Sequence, residues 1–181
     1  MLNKPIIWVD MDGVLARFYT GMSKEILCEK GYFASLPPQP KVVRAVRNLW
    51  VNHPTFVLSA YLADSAYALE EKEKWLKRYL PGVHGIFLPC GTSKAAAVEK
   101  IMGRSLRRED ILIDDFSRNL FDFSIRGGTA VKLLNGINGT KGTWKGRKTT
   151  ADSMFEDVEK IIANIVASEQ AQNNIVRVAR V

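Results

Sequence analysis

Residues 6–16 read IIWVDMDGVLA. The first four are apolar, β-branched or aromatic, as in a short buried strand, and they run straight into Asp10. Asp12 follows two positions later, and Gly13 permits a tight turn. In an open parallel sheet, ligands bind beyond the carboxyl ends of the strands, so two acids at that point can face one small site. Their repulsion is costly unless a cation or a shared proton relieves it. A bare Asp-x-Asp-Gly is equally a turn after a strand, so the reading depends on what the rest of the chain brings beside it.

Working outward, similar apolar runs recur at TFVLS (55–59), GIFL (85–88), ILI (111–113) and AVKLL (130–134). Helical patterns lie between them at 41–52, 64–80 and 93–102, and a last one at 152–168. Asp64 reads as an N-cap, and Pro81-Gly82 and Gly103 as stops. In the 64–80 helix, Leu69, Leu76 and Leu80 mark the inner face and the Glu and Lys residues the outer one. The alternation predicts an α/β domain with a mainly parallel five-stranded sheet. Residues 136–148, rich in Gly, Asn and Thr, read as loop. Residues 171–181 lack a clear pattern and read as a frayed tail, leaving 1–170 as one domain.

The 181 residues are enough for one domain with a real core. At 46% hydrophobic and 25% charged, the composition excludes disordered and fibrous classes. No apolar run approaches the roughly 20 residues of a bilayer span, and the stretch before Asp10 is too brief for a secretory segment, so a cytoplasmic location is expected. Cys28 and Cys90, without CxxC spacing, read as two reduced thiols. Most of the net charge of +7 falls between residues 100 and 150, which suits an anionic substrate or a weak nucleic-acid contact. The pattern fixes no oligomeric state.

Chemically, a carboxylate at Asp10 is ionised at neutral pH and can attack phosphorus without a base, giving an aspartyl-phosphate. Asp12 beside it can protonate a leaving alcohol and then deprotonate the water that completes hydrolysis. A calcium loop is disfavoured, because the helix-loop-helix setting and later acidic ligands are missing.

The segment VDMDGVLA resembles the first motif of the haloacid dehalogenase superfamily, in wording nearest to its 5'(3')-deoxyribonucleotidase branch. The resemblance implies a Rossmann-like three-layer sandwich with a small helical cap after the first strand. It also implies Ser59 as a phosphate-binding hydroxyl, Lys94 as a phosphate-binding ammonium that ties down Asp10, and Asp114 and Asp115 as an acidic cluster after the fourth strand. A Ser after a strand is by itself more often a turn residue. A Lys in a helix's first turn is unfavourable for the helix dipole, so Lys94 is not there for stability. A Mg2+ site is implied from Asp10, the backbone carbonyl of Asp12 and one or both of Asp114 and Asp115, and two adjacent carboxylates leaving one strand need such a counter-ion. KLLNGINGTKGTW (132–144) resembles nucleotidase-like proteins from bacteria and phage.

An acid at Asp12 points to phosphate rather than halide chemistry, since only the former has an alcohol to protonate. The expected function is a Mg2+-dependent phosphomonoesterase, 5'-nucleotidase-like, on (deoxy)nucleoside monophosphates. The helical bundle that the deoxyribonucleotidases carry between the first two motifs is reduced here to residues 17–40, at most one helix and a loop. In it Phe18, Met22 and Ile26 recur at helical spacing, and Pro37, Pro38 and Pro40 stiffen the return. Phe18, Tyr19 and Tyr32 are candidates to stack on a base, although packing the lid is the commoner role for such rings. Trp144, flanked by Lys141, Lys145, Arg147 and Lys148, is a further candidate contact, against the plainer reading of a buried indole in a solvated loop. Two rival readings are a polynucleotide 3'-phosphatase using that basic loop and a non-catalytic nucleotide-binding relative.

Overall fold

The computed structural model describes residues 4–138 and 143–178, with side chains to residue 171. Strands β1 (Ile6–Val9), β2 (Thr55–Tyr61), β3 (His84–Pro89), β4 (Asp110–Asp114), β5 (Thr129–Leu134) and β6 (Arg147–Thr150) form one sheet in the order β3-β2-β1-β4-β5-β6. Every pairing is parallel. The period of two along β1 sends Ile7 and Val9 into one core cluster and Trp8 into another, on opposite faces of the sheet.

Helices cover both faces. On the Ile7 side lie α3 (Pro40–Asn52), α4 (Ala68–Tyr79) and α7 (Met154–Val178), and on the Trp8 side lie α5 (Lys94–Met102) and α6 (Ser117–Ile125). In α3 the spacing of Val42, Val46 and Leu49 makes one apolar stripe, and all three are fully buried. Its Pro40 sits in the first turn, where a missing N–H costs nothing. Ser93 caps α5 by accepting from Ala96 N at 3.0 Å, and Gly103 closes it with φ +61°. The architecture is the expected α/β sandwich, with helices on both faces of a parallel sheet.

Several elements differ from the sequence reading. The sheet has six strands, not five: RKTT at β6 has no apolar run, buries only Thr149, and joins the edge through backbone pairing with β5. Helix α6 occupies a stretch to which the sequence reading assigned no element. Helix α4 begins at Ala68, and the hydroxyl that accepts from Tyr67 N and Ala68 N belongs to Ser65. Asp64 is not its cap; it pairs with Lys24. Helix α7 runs to Val178, ten residues past the expected end.

The lid holds two single-turn helices, α1 (Lys24–Leu27) and α2 (Tyr32–Ser35), so Phe18 and Met22 lie outside any helix. Gly31, at φ +93°, separates the two turns. The segment leaves and rejoins the core at one place. Ala16 bridges both Asp12 and Pro38, Arg17 N donates to Pro37 O at 2.8 Å, and Gln39 N donates to Leu15 O at 2.7 Å. The buried Gln39 amide also donates to the carbonyls of Gly13 and Val14.

Candidate active site

The strand order reverses direction between β1 and β4: from β1 the chain moves outward to β2 and β3, then returns to β4 and continues through β5 to β6. A crevice opens at such a switch point, beyond the carboxyl ends of the two strands. The register pairs Val9 with Ile113, and Asp10 N donates to Ile113 O at 2.9 Å, so Asp10 and Asp114 leave the sheet side by side. Asp10 is 7% exposed and Asp114 fully buried.

Lys94, in the first turn of α5, reaches between them. Its Nζ lies 2.7 Å from Asp10 Oδ1 and 2.7 Å from Asp114 Oδ2. Burial alone pulls its pKa down, but the charges of Asp10 and Asp114 outweigh that and hold the ammonium above its usual value. Asp114 is fixed further by Asn119 Nδ2 on Oδ2 (2.9 Å) and by Phe116 N on Oδ1 (2.7 Å). Burial raises the Asp114 pKa against the opposing pull of Lys94.

Asp115 completes the group. One oxygen each from Asp10, Asp114 and Asp115 lies within 4.8 Å of the others. Burial and the nearby Asp10 push the Asp115 carboxyl up to about 7. Three carboxylates thus face one ammonium in a largely buried spot, and a hard divalent cation with oxygen ligands fits that imbalance. The other side of Asp115 is clasped: Oδ2 accepts from Asn135 Nδ2 at 2.8 Å and from Asn138 Nδ2 at 2.6 Å. Asn135 Nδ2 also donates to Gly13 O, and Asn138 bonds Phe18 O and Thr20 N, so the segment after β5 stitches Asp115 to the loop after β1 and to the lid.

Asp12 stands apart from the cation cluster. Its Oδ2 pairs with Lys72 Nζ, while its Oδ1 is buried with no hydrogen-bond partner among the described residues. Burial raises its pKa, against the pull of Lys72. Ser59, fully buried at the end of β2, receives the same ammonium on Oγ at 3.4 Å. Asp10, Asp12, Ser59, Lys94, Asp114 and Asp115 therefore converge on one end of the sheet. A cleft of about 540 Å³ opens beside Lys94 and Asn119, walled by Ser93, Phe116, Arg118 and Asp122.

The aromatic candidates divide. Phe18 stacks on Phe33 at 6.2 Å and meets Tyr32 edge-on at 6.5 Å, so both pack the lid as a cluster. Burial, and then the charge of Asp12, raises the Tyr32 phenol. Tyr19 is exposed. Trp144 is not brought to the carboxylates. It is 6% exposed in the Trp8-side core, packs edge-on against Phe121 at 5.1 Å, and donates to Arg147 O at 2.8 Å. Of its basic neighbours, Lys145, Arg147 and Lys148 are exposed, and Lys141 lies outside the described residues.

Sequence reasoning missed Lys72, Glu71, Asn119, Asn135 and Asn138. Glu71 and Lys72 lie in a run of alternating charge that reads as a solvated face, yet both are buried. The available signal was position: Lys72 is four residues after Ala68 and four before Leu76, on the stripe that also carries Trp75. Asn138 lay in the stretch read as plain loop and Asn135 just before it, while Asn119 carried no signal of its own.

Comparisons with known proteins fit this geometry. The family model described as "5' nucleotidase, deoxy (Pyrimidine), cytosolic type C protein" matches residues 23–170. That match begins after Asp10 and Asp12, so those two residues rest on the geometry above. A protein of Vibrio phage KVP40 named "Putative 5'(3')-deoxyribonucleotidase" is 29% identical over 89 residues, 43% of this chain and 52% of the phage protein. The chain thus matches about half the length of that relative. Among solved structures, D,D-heptose 1.7-bisphosphate phosphatase from B. bronchiseptica, complexed with magnesium and phosphate, superposes with a TM-score of 0.61 at 16% identity, covering 87% of this chain and 99% of that one. A putative haloacid dehalogenase-like hydrolase from Burkholderia xenovorans LB400 gives 0.52 at 14% identity, covering 76% and 64%. These two likenesses show the haloacid dehalogenase-like fold. With most of its length matched by the family model, the chain belongs to the 5' nucleotidase, deoxy (Pyrimidine), cytosolic type C family.

Proposed function

We propose that the chain is a magnesium-dependent phosphomonoesterase acting on (deoxy)nucleoside monophosphates through an aspartyl-phosphate intermediate. The observation that carries this reading is the convergence of Asp10, Lys94, Asp114 and Asp115 at the switch point, with Asp12 beside them. Family membership supports the nucleotide, and the phage relative's name supports the deoxy sugar. The family's cytosolic description supports a cytoplasmic setting, and among the described residues no helix is long and apolar enough to cross a membrane.

In the first half-reaction a carboxylate oxygen of Asp10 attacks phosphorus, the bond from phosphorus to the ester oxygen breaks, and Asp12 gives its proton to that oxygen. In the second, water attacks the phosphorus of the acyl phosphate, Asp12 takes its proton, and inorganic phosphate leaves with the Asp10 carboxylate restored. Lys94 and the Ser59 hydroxyl bind the phosphoryl oxygens, and Lys94 also keeps Asp10 aimed. Asp10, Asp114 and Asp115, with the Asp12 carbonyl as a further ligand, would hold a magnesium ion, which would supply positive charge against the phosphate. Tyr32, Phe18 and Tyr19 on the lid are the proposed contacts for the nucleoside.

Phosphate release from a panel of nucleoside 5'- and 3'-monophosphates and a 3'-phosphorylated oligonucleotide, with and without Mg2+, tests the reading. Asp10→Asn is expected to abolish turnover with the fold intact. Full activity in that variant removes the covalent mechanism, and absence of turnover on every ester favours the non-catalytic relative. Preference for the oligonucleotide with steep salt dependence favours the 3'-phosphatase. The burial of Trp144 weakens that last alternative, because the indole presents no open face for a strand.

A further inference from the structure

Helix α4 brings a fully buried ammonium to the site. Lys72 is 0% exposed, and the alternating Glu and Lys around it conceal that. A charge that deep in a core is retained only when its partners satisfy it. Its three N–H directions have three takers: Asp12 Oδ2, Ser59 Oγ at 3.4 Å, and the face of the Phe33 ring, whose centroid is 4.6 Å away. The neighbouring Glu71 holds that ring in place, accepting hydrogen bonds from the backbone N–H groups of Gly31, Phe33 and Ala34. With its donors spent, Lys72 has none left for a phosphate oxygen.

We propose that Lys72 is a positioning residue for Asp12: by holding Oδ2 it fixes the orientation of the carboxylate that exchanges a proton with the leaving group. Lys94 cannot replace Lys72, since Asp10 and Asp114 hold it. The proposal rests on the phosphatase reading above and adds to it a residue that touches neither substrate nor cation.

The test compares kcat/KM of wild type and Lys72→Met on an alkyl or nucleoside phosphate, whose leaving group needs a proton, and on p-nitrophenyl phosphate, whose leaving group does not. Because kcat/KM covers only steps through the first irreversible one, later hydrolysis of the intermediate does not blur the comparison. A fall of roughly 100-fold on the first ester and less than about 5-fold on the second is expected. In an Asp12→Asn background the same substitution should cost less than about 3-fold, because its target is gone. Equal losses on both esters, or an undiminished loss in the Asp12→Asn background, overturn the proposal. If Lys72→Met fails to fold, Lys72→Gln carries the same comparison. Crystal structures of wild type and variant give a readout independent of turnover: the Asp12 carboxylate should rotate when Lys72 is lost. An unmoved carboxylate overturns the positioning role, whereas wild-type protein inactive on every ester overturns the phosphatase reading instead.

Discussion

Gly13 lies against Asp115 so closely that a Cβ at position 13 would overlap the Asp115 carboxylate, at its Oδ2 atom. Its φ of +76° adds a second demand for glycine. Gly13→Ala is therefore expected to cost ~1–2 kcal/mol through the left-handed backbone alone. It should also displace Asp115 from Asn135 and Asn138. Turnover should fall at least ~100-fold, as a misplaced catalytic group costs. Denaturant melts alongside kinetics check it: a variant with wild-type turnover shows that Asp115 need not stay where it is.

The three carboxylates at the switch point are under mutual repulsion that a bound cation relieves. Mg2+ held by the folded site and not by the unfolded chain would raise the melting temperature, and at about 100 times Kd the gain would be about 2.7 kcal/mol. Asp115→Asn should lose most of that gain while remaining folded. Scanning calorimetry with Mg2+ and with EDTA measures this, and an undiminished Mg2+ shift in Asp115→Asn removes Asp115 from the ligand set.

Glu71 fastens the lid by its backbone. Hydrogen bonds to a charged group contribute about 1.5–3 kcal/mol each, so Glu71→Gln, which weakens them, should loosen residues 31–34 more than the sheet. Hydrogen exchange should rise there selectively. KM for a nucleotide should increase, while activity on p-nitrophenyl phosphate, which needs little of the lid, should change less. Uniform exchange across lid and sheet contradicts the latch.

Trp144 fills part of the Trp8-side core. Trp144→Ala should destabilise the protein by about 3–5 kcal/mol, as for other buried aromatics, and leave KM for nucleotides unchanged in the folded fraction. A large rise in KM with unaltered stability would return the indole to the substrate.

The sequence disclosed what has a period or ends a strand. Ile7, Val9, Ile111 and Ile113 announce buried strands, and the acids after Val9 and Ile113 stand out because polar residues interrupt apolar runs there. What stayed hidden depends on long-range packing. RKTT at β6 has no hydrophobic signature, since an edge strand can be recruited by backbone pairing alone. Lys72 resembles its exposed neighbours until Trp75 and Ala68 are seen to share its face. Asn135 and Asn138 act on Asp115, some twenty residues earlier in the chain, and no local pattern encodes that. Trp144 belongs to the same class: charge around it suggested a ligand, while the space it fills is apolar.

The lid departs at Ala16 and returns at Pro38, two residues bridged to each other. An excursion whose ends are already stapled together adds little loop-closure entropy when lengthened, so this segment is a natural graft point. Swapping residues 17–37 for a longer insert should retune which alcohols gain entry, provided the insert keeps the backbone contacts of Phe18 and Thr20 with Asn138 and the Phe33 ring over Lys72.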